Sequence, residues 1–353
     1  MYWLLLAYPA VMALAYPART EQTRQSAGQV LALAGFVLFY TLMAGMRWDV
    51  GGDWGNYEEI YDDIALSSLS YAMGVTDPLY GLVNWVSAQF DLDIYFVNGV
   101  CAFLLVLGVA QVVGRFRDPW LAVLMAVPYL LIVVGLGYIR QGAAIGLLLM
   151  AIAAFDRGKL IRTGVFLLMA IGFHATAIMV IPLFGYSLGT RYRLFAVVVG
   201  LATIYAYFAI VVPALDRFNA GYIDQELEST GALARLLMSF IPSLLLLLRW
   251  RHIGGSSRLR PIWISVAIAN VLLLLLLFVS PSSTAVDRAG LYFSIAQLLV
   301  FGEFRNLLPT PERMTAFVRV LLIGVASAVQ VVWLVYATNA EFWVPYKTLF
   351  EAI

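Results

Sequence analysis

The residues best suited to chemistry fall in a few short stretches. The first is MRWDVGGDWGNYEEIYDD, residues 46–63. Arg47, Asp49 and Asp53 are packed around Gly51, Gly52 and Gly55. Those glycines let a backbone approach a ligand closely or take positive φ. Trp48, Trp54 and Tyr57 add flat faces, common at membrane interfaces and on sugar-binding surfaces. The stretch reads either as an interfacial turn with an Arg–Asp pair or as one wall of an active site. The second is GYIRQGAAIG, residues 137–146, in which Arg140 and Gln141 begin a helix. A helix N-terminus attracts anions, and an arginine there suits a phosphate. The plainer reading is an arginine snorkelling to the interface. The third is GFHATAI, residues 172–178. His174 sits at a break inside an apolar segment, where an unused ionisable group is costly. Its neutral form can accept a proton; a buried histidine with satisfied hydrogen bonds is the alternative. Arg235 opens another helix, and Asp287-Arg288 opens one after Ser282, Ser283 and Thr284. The Asp287-Arg288 pair could equally cap and neutralise itself. FWVPYKTLF, residues 342–350, reads as an aromatic interfacial segment, and His252, among basic residues, is given no role.

These stretches punctuate a very apolar chain. Of 353 residues, 62% are hydrophobic and 12% charged, against roughly 25% charged in a soluble domain. Apolar segments fall at about 2–17, 27–46, 94–114, 119–135, 139–156, 163–188, 194–213, 236–250, 261–279, 290–304 and 317–337. Many are long enough to cross a hydrocarbon core of roughly 30 Å as helix. Lipid requires each segment to satisfy its own backbone polar groups. The expectation is therefore an all-α polytopic membrane protein of about 10 transmembrane helices plus a broken hairpin near 163–188. With no long polar linker, the chain reads as one integral membrane domain, 1–353, with extracytoplasmic loops at about 47–93 and 214–235. The single cysteine, Cys101, excludes an intrachain disulfide and a Cys-rich metal site. Two histidines weaken a histidine-rich metal site, and no Walker-type glycine loop is present. The first segment lacks a basic n-region and reads as a retained helix.

The basic residues orient the chain. Placing the 18–26 loop in the cytoplasm puts Arg115 and Arg117 inside, then Arg157, Lys159 and Arg162, then Arg191 and Arg193. This alternation requires 163–188 to leave the cytoplasm and return. The segment is long for one crossing and short for two, so a break is expected at Gly172-Phe173-His174, with His174 near the tip of a hairpin. Of the 22 basic residues, about 16 then lie inside and about 6 outside, and both termini lie outside. Arg47, Arg140, Arg217, Arg235 and Arg288 are on the disfavoured side, each near the end of a membrane segment. Arginines so placed usually bind phosphate, carboxylate or a partner acid.

At these residues the chain resembles the EpsG family of exopolysaccharide polymerases. The resemblance rests on R-x-x-x-G-x-D-x-x-x-Y (Arg47, Gly51, Asp53, Tyr57) after the second helix and on Ile139-Arg140-Gln141 opening a later one. It rests also on F-H-x-[ST]-A (Phe173, His174, Thr176, Ala177) and on Pro345-Tyr346. It spans most of the chain, with little beyond hydropathy between 190 and 280. Such proteins are related to the Wzy polymerases. The resemblance implies a fold similar to the GT-C class and a glycosyltransferase of the bacterial inner membrane with its active site facing the periplasm. It would join oligosaccharide repeat units carried on undecaprenyl diphosphate, which serves as donor and acceptor, amid membrane lipid. It makes a chain-length regulator protein a plausible partner; no nucleic acid partner and no cofactor are implied.

The residues fit such chemistry without metal. Arg47, Arg140, Arg235 and Arg288 would bind the leaving diphosphate; Asp49, Trp54, Tyr57, Gln141 and Asp287 would meet the glycan or acceptor. The acceptor hydroxyl needs a general base, for which His174 and Asp53 are both candidates. Competing readings are a lipid-linked glycan flippase, a membrane O-acyltransferase and a single-addition ligase. A flippase predicts internal repeats and polar groups on both faces, and neither is evident in the sequence.

Overall fold

A computed structural model describes residues 1–16, 18–19, 25–189, 231–252, 258–280, 282–308 and 312–351. The apolar segment at 194–213, the acidic stretch 214–230 with Arg217, and Arg24, Arg191 and Arg193 lie outside the described residues. Among the described residues all regular structure is helical, apart from an isolated bridge between Arg47 and Thr348.

Helices α1 (Tyr2–Ala15) and α2 (Ala27–Gly45) come first. Ser26 and Gln29 start α2 with a reciprocal capping box. The polar 47–93 stretch, read as an extracytoplasmic connection, carries three helices: α3 (Trp54–Ala65), α4 (Leu69–Val75) and α5 (Pro78–Gln89). Then come α6 (Asp93–Val113) and α7 (Pro119–Ala126), which widens into a π-helix over Val127–Val134. Pro128 removes a backbone donor there, and the Tyr40 hydroxyl donates to the Leu131 carbonyl at 2.7 Å. Helices α8 (Ile139–Asp156) and α9 (Leu160–Phe173) follow. His174 is extended (φ −158, ψ 113), and a 3-10 turn over Ala175–Val180 leads into α10 (Ile181–Gly189). The later elements are α11 (Ala232–Leu248), α12 (Leu259–Leu277), α13 (Ser283–Phe293), α14 (Ala296–Gly302) and α15 (Glu312–Val331).

The helix break thus falls at His174, as the length of the apolar segment requires. Its two arms diverge in their partners, however: α9 packs on α8, and α10 on α12. Among the described residues, six stretches have the length and apolarity to cross a bilayer: Ala27–Gly45, Asp93–Val113, Pro119–Gly137, Ile139–Asp156, Leu259–Leu277 and Thr315–Tyr336. Four shorter apolar helices accompany them, at Tyr2–Ala15, Leu160–Phe173, Ala175–Ser187 and Ala232–Leu248. At 1.5 Å per residue, helices of 14 residues such as α1 and α9 are about 21 Å long, short of a core of roughly 30 Å. The expected count of about ten spans therefore included helices below full crossing length.

Burial separates the centre from the lipid boundary. The α7 stretch is 94% buried and α8 is 89% buried, against 17% for the Thr315–Tyr336 span. The central contact is α6 on α8. A Cβ on Gly108 would lie 2.1 Å from the Gly146 carbonyl, and one on Gly146 would lie 2.1 Å from the Leu104 carbonyl. Small residues let the two backbones touch, the usual way helices associate where lipid already solvates apolar side chains. This contact holds the α8 N-terminus, and with it Arg140, in place.

At one end of the bundle, buried polar groups act as fasteners. Arg319 pairs with Asp118 at 2.5 Å, and its Nη1 donates to the Ala13 and Tyr16 carbonyls. Arg115 pairs with Asp156, and the Arg117 backbone N–H donates to Glu303. At the other end the C-terminal tail returns across the 46–54 turn. Trp48 N donates to Lys347 O at 3.1 Å, Leu349 N to Met46 O at 2.9 Å and Gly51 N to Phe342 O at 2.7 Å. The Tyr2 hydroxyl donates to Trp343 O at 2.7 Å, and Tyr346 bonds Met43 O.

Candidate active site

Two carboxylates begin the site, and both stand at helix N-caps. Asp53 precedes α3 and Asp77 precedes α5, yet neither side chain caps its own helix. An N-cap aspartate normally accepts from the first N–H groups of its helix, worth about 1 kcal/mol. Both carboxylates instead turn towards cations from distant elements.

Asp77 lies among three groups. Its Oδ1 accepts from the Ala175 backbone N–H at 3.0 Å. Its Oδ2 lies 3.3 Å from His174 Nδ1 and accepts from Arg140 Nη1 at 3.0 Å. Arg140 Nη1 also reaches Thr76 Oγ1 at 3.0 Å, and its guanidinium lies over the Tyr80 ring, 5.6 Å from the centroid. Arg140 is in the first turn of α8, so that helix's positive end adds to its charge.

Asp53 faces Arg288 at 3.8 Å, and Arg288 stacks over Tyr138 at 4.2 Å. Gln141 Nε2 donates to the Arg288 carbonyl at 2.8 Å and so ties the middle of α13 to α8. The cluster is open to its surroundings: the side chains of Arg288, Arg140, Asp53 and His174 are 39%, 30%, 25% and 24% exposed.

The two carboxylates are driven in opposite directions. Burial raises Asp53 above the usual carboxylate range, against the lowering pull of Arg288, Arg140 and His174. Burial also acts to raise Asp77. There the hydrogen bond and charge of His174, the charge of Arg140 and the Ala175 N–H together outweigh it and hold Asp77 below its ordinary value.

Of the residues singled out in the sequence, Arg140, His174, Asp53 and Arg288 come together here. The others are placed differently. Arg47 is fully buried: Nε donates to Val50 O at 2.9 Å, Nη1 to Ala44 O at 3.0 Å, and the guanidinium lies over Trp54. It ties the 44–50 turn together and presents no face to an incoming diphosphate. Trp54 and Tyr57 are buried beneath the same turn, Tyr57 against Tyr80 at 6.0 Å, so neither offers a face for a sugar to stack on. Gln141 is likewise enclosed, with its Nε2 on the Arg288 carbonyl. Asp49 pairs with Lys347 at 2.6 Å on the surface. Asp287, expected at the glycan or acceptor or else paired with Arg288, takes both Nε and Nη2 of Arg235, expected at the diphosphate, at 2.9 and 2.8 Å. On a helix, adjacent side chains diverge, so Asp287 meets α11 while Arg288 turns to Asp53.

Asp77 was missed in the sequence. An Asp-Pro dipeptide opening a helix reads as an ordinary start signal, and only the fold sets it beside residues 63 and 97 positions away. Its one local hint was the preceding Thr76, which gives two polar groups in a row after the apolar α4. Among the described residues no group of three His, Cys, Asp or Glu side chains is placed to hold a metal ion.

A multi-pass helical membrane protein with a half-open cluster of two arginines, two carboxylates and a histidine is the class that these features define. The chain belongs to the EpsG family, whose model matches residues 30–348. At the family level this is a membrane polysaccharide polymerase of the exopolysaccharide type. No curated protein and no solved structure matches the chain.

Proposed function

We propose that this protein joins lipid-diphosphate-linked oligosaccharide repeat units at the outer face of the bacterial inner membrane, without metal, in a GT-C-like manner. The observation that carries the reading is the meeting of Arg140 and Arg288, from different helices, beside Asp53 and His174. Glycosyl transfer from a lipid diphosphate needs cations where negative charge develops on the leaving group and a base for the acceptor hydroxyl. Arg140 and Arg288 supply the first. Both side chains stay partly exposed, and Arg140 adds the α8 N-terminus. His174 and Asp53 are the groups within reach that can take a proton. Arg47 and Gln141, given ligand roles from sequence, serve here as supports of the 44–50 turn and of Arg288.

The test is polymerisation by purified protein. Incubation with a matching undecaprenyl-diphosphate oligosaccharide, without nucleotide or metal, is expected to give a gel ladder at repeat-unit spacing. Arg140→Ala is expected to slow the ladder about 10²–10³-fold, the usual cost of losing one electrostatic contact to a developing anion. A single added unit would make the protein a ligase. No product, with the same lipid moving across proteoliposomes, would make it a flippase.

A further inference from the structure

Asp77 carries more contacts than any other carboxylate of the cluster. Its Oδ1 takes the Ala175 N–H, directly after the helix break, and its Oδ2 meets both His174 Nδ1 and Arg140 Nη1. A carboxylate so placed locks the backbone on one side of the imidazole and the imidazole itself. The α5 N-terminus forgoes its cap for these contacts.

The chemistry of the contacts is directional. An ionised carboxylate only accepts hydrogen bonds, so the ring nitrogen facing it must carry hydrogen. Burial works against the charge of Asp77, and His174, the permanently charged Arg140 and the Ala175 N–H together favour its ionised form. Beside these, Asp53 at the start of α3 is close enough to feel the charge of His174, and it pairs with Arg288 of α13. The Tyr292 hydroxyl lies 3.0 Å from Thr176 Oγ1.

We propose that Asp77 is a positioning residue: it holds His174 in the tautomer with hydrogen on Nδ1, which directs the Nε2 lone pair to the acceptor hydroxyl, and it fixes Arg140 for the donor diphosphate. The inference rests on the polymerase reading above. In the step, the hydroxyl proton passes to His174 Nε2 and the hydroxyl oxygen bonds the anomeric carbon. The bond from that carbon to the diphosphate breaks, and the lipid diphosphate leaves with the electron pair beside Arg140 and Arg288. His174 then returns its proton to water. Base and anion holder are set by one carboxylate, so their geometry is coupled.

The chain has two histidines, so a His252→Gln background leaves His174 as the sole signal in a ¹⁵N-histidine-labelled sample. Recorded where the imidazole is neutral, the expected spectrum shows hydrogen on Nδ1. Asp77→Asn, which presents an amide N–H to that nitrogen, is expected to move the hydrogen to Nε2. Hydrogen on Nε2 in the unsubstituted site, or no change in Asp77→Asn, overturns the inference. In the polymerisation assay, Asp77→Asn is expected to lower kcat about 10²–10⁴-fold, the worth of a general base. It should also move the acid limb of the kcat–pH profile to lower pH, because the carboxylate that favours the imidazolium is gone, with Asp77→Glu recovering part of the rate. A variant that melts earlier but keeps the pH profile per folded molecule would make Asp77 merely structural. If the tautomer responds as expected while the unsubstituted protein makes no polymer, the polymerase reading fails and the positioning of His174 by Asp77 stands.

Discussion

At the scale of the residue, the site is built from two helix N-cap aspartates that decline to cap. Asp77 is surrounded by partners for its charged form and Asp53 is not, so burial wins at Asp53 and loses at Asp77. This difference has consequences for stability. Asp53 has a folded-state pKa above its unfolded value, so whatever it contributes is fully present below the unfolded value and is lost as pH rises through the folded one. At neutral pH its ionised form is a liability, offset only weakly by Arg288 at 3.8 Å, a partly exposed pair worth about 0–1 kcal/mol. Asp53→Asn is therefore expected to leave the melting temperature at pH 7 unchanged or raised while polymer yield falls. Thermal melts in detergent at pH 4 and pH 7 check it; a loss of stability confined to pH 7 would contradict the assignment. Asp77 carries the opposite sign: its contribution is held at neutral pH and lost only as the solution is acidified below the ordinary carboxylate range. The identities of Arg140, His174, Asp53 and Arg288 were legible in the sequence because a charged group at the end of an apolar run needs a reason. Their partners were not. Arg288 stands next to Asp287 in the chain but pairs with Asp53, since side-chain direction on a helix, not adjacency, decides who meets.

At the scale of the element, the break at His174 was predictable from arithmetic: the segment was too long for one crossing and too short for two. The role of the C-terminal tail was not, because a short aromatic stretch beside the membrane reads as an interfacial anchor wherever it lies. In the fold it is a strap. Trp343 is buried against Gly137 and Gly52, where a Cβ on Gly137 would come within 2.7 Å of its ring, and the tail's backbone bonds hold the turn that leads to Asp53. Trp343→Ala is expected to destabilise by about 3–5 kcal/mol through the cavity it leaves and to lower polymerisation by releasing the 46–54 turn. Lys347→Ala, which removes a pair with an Asp49 that is 54% exposed, is expected to cost at most about 1 kcal/mol. Melting temperature and limited proteolysis of the 46–54 turn separate the two. Equal effects would mean that the strap is held by charge rather than by Trp343.

At the scale of the whole molecule, function depends on which side of the membrane the cluster faces, and the argument comes from charge. The basic turns around Arg115, Arg157, Lys159 and Arg162 lie at one end of α6, α8 and α9, and the Asp53–Arg140–His174–Arg288 cluster lies at the other. The positive-inside rule predicts that the second end faces outward, the side from which the proposed lipid-linked donor would be drawn. Three crossings, α6, α7 and α8, separate Glu59 from Lys159, so the two must lie on opposite sides whatever the orientation. The chain's single cysteine, Cys101, is 1% exposed, so a background close to zero is expected for thiol labelling. Glu59→Cys, on an exposed position of α3, is expected to react with a membrane-impermeant maleimide in intact spheroplasts, and Lys159→Cys only after permeabilisation. The reverse pattern would place Arg140 and Arg288 in the cytoplasm. The same cations would then face soluble nucleotide donors, and a polymerase that draws on a pool of exported lipid-linked units would no longer be the chemistry that the site serves.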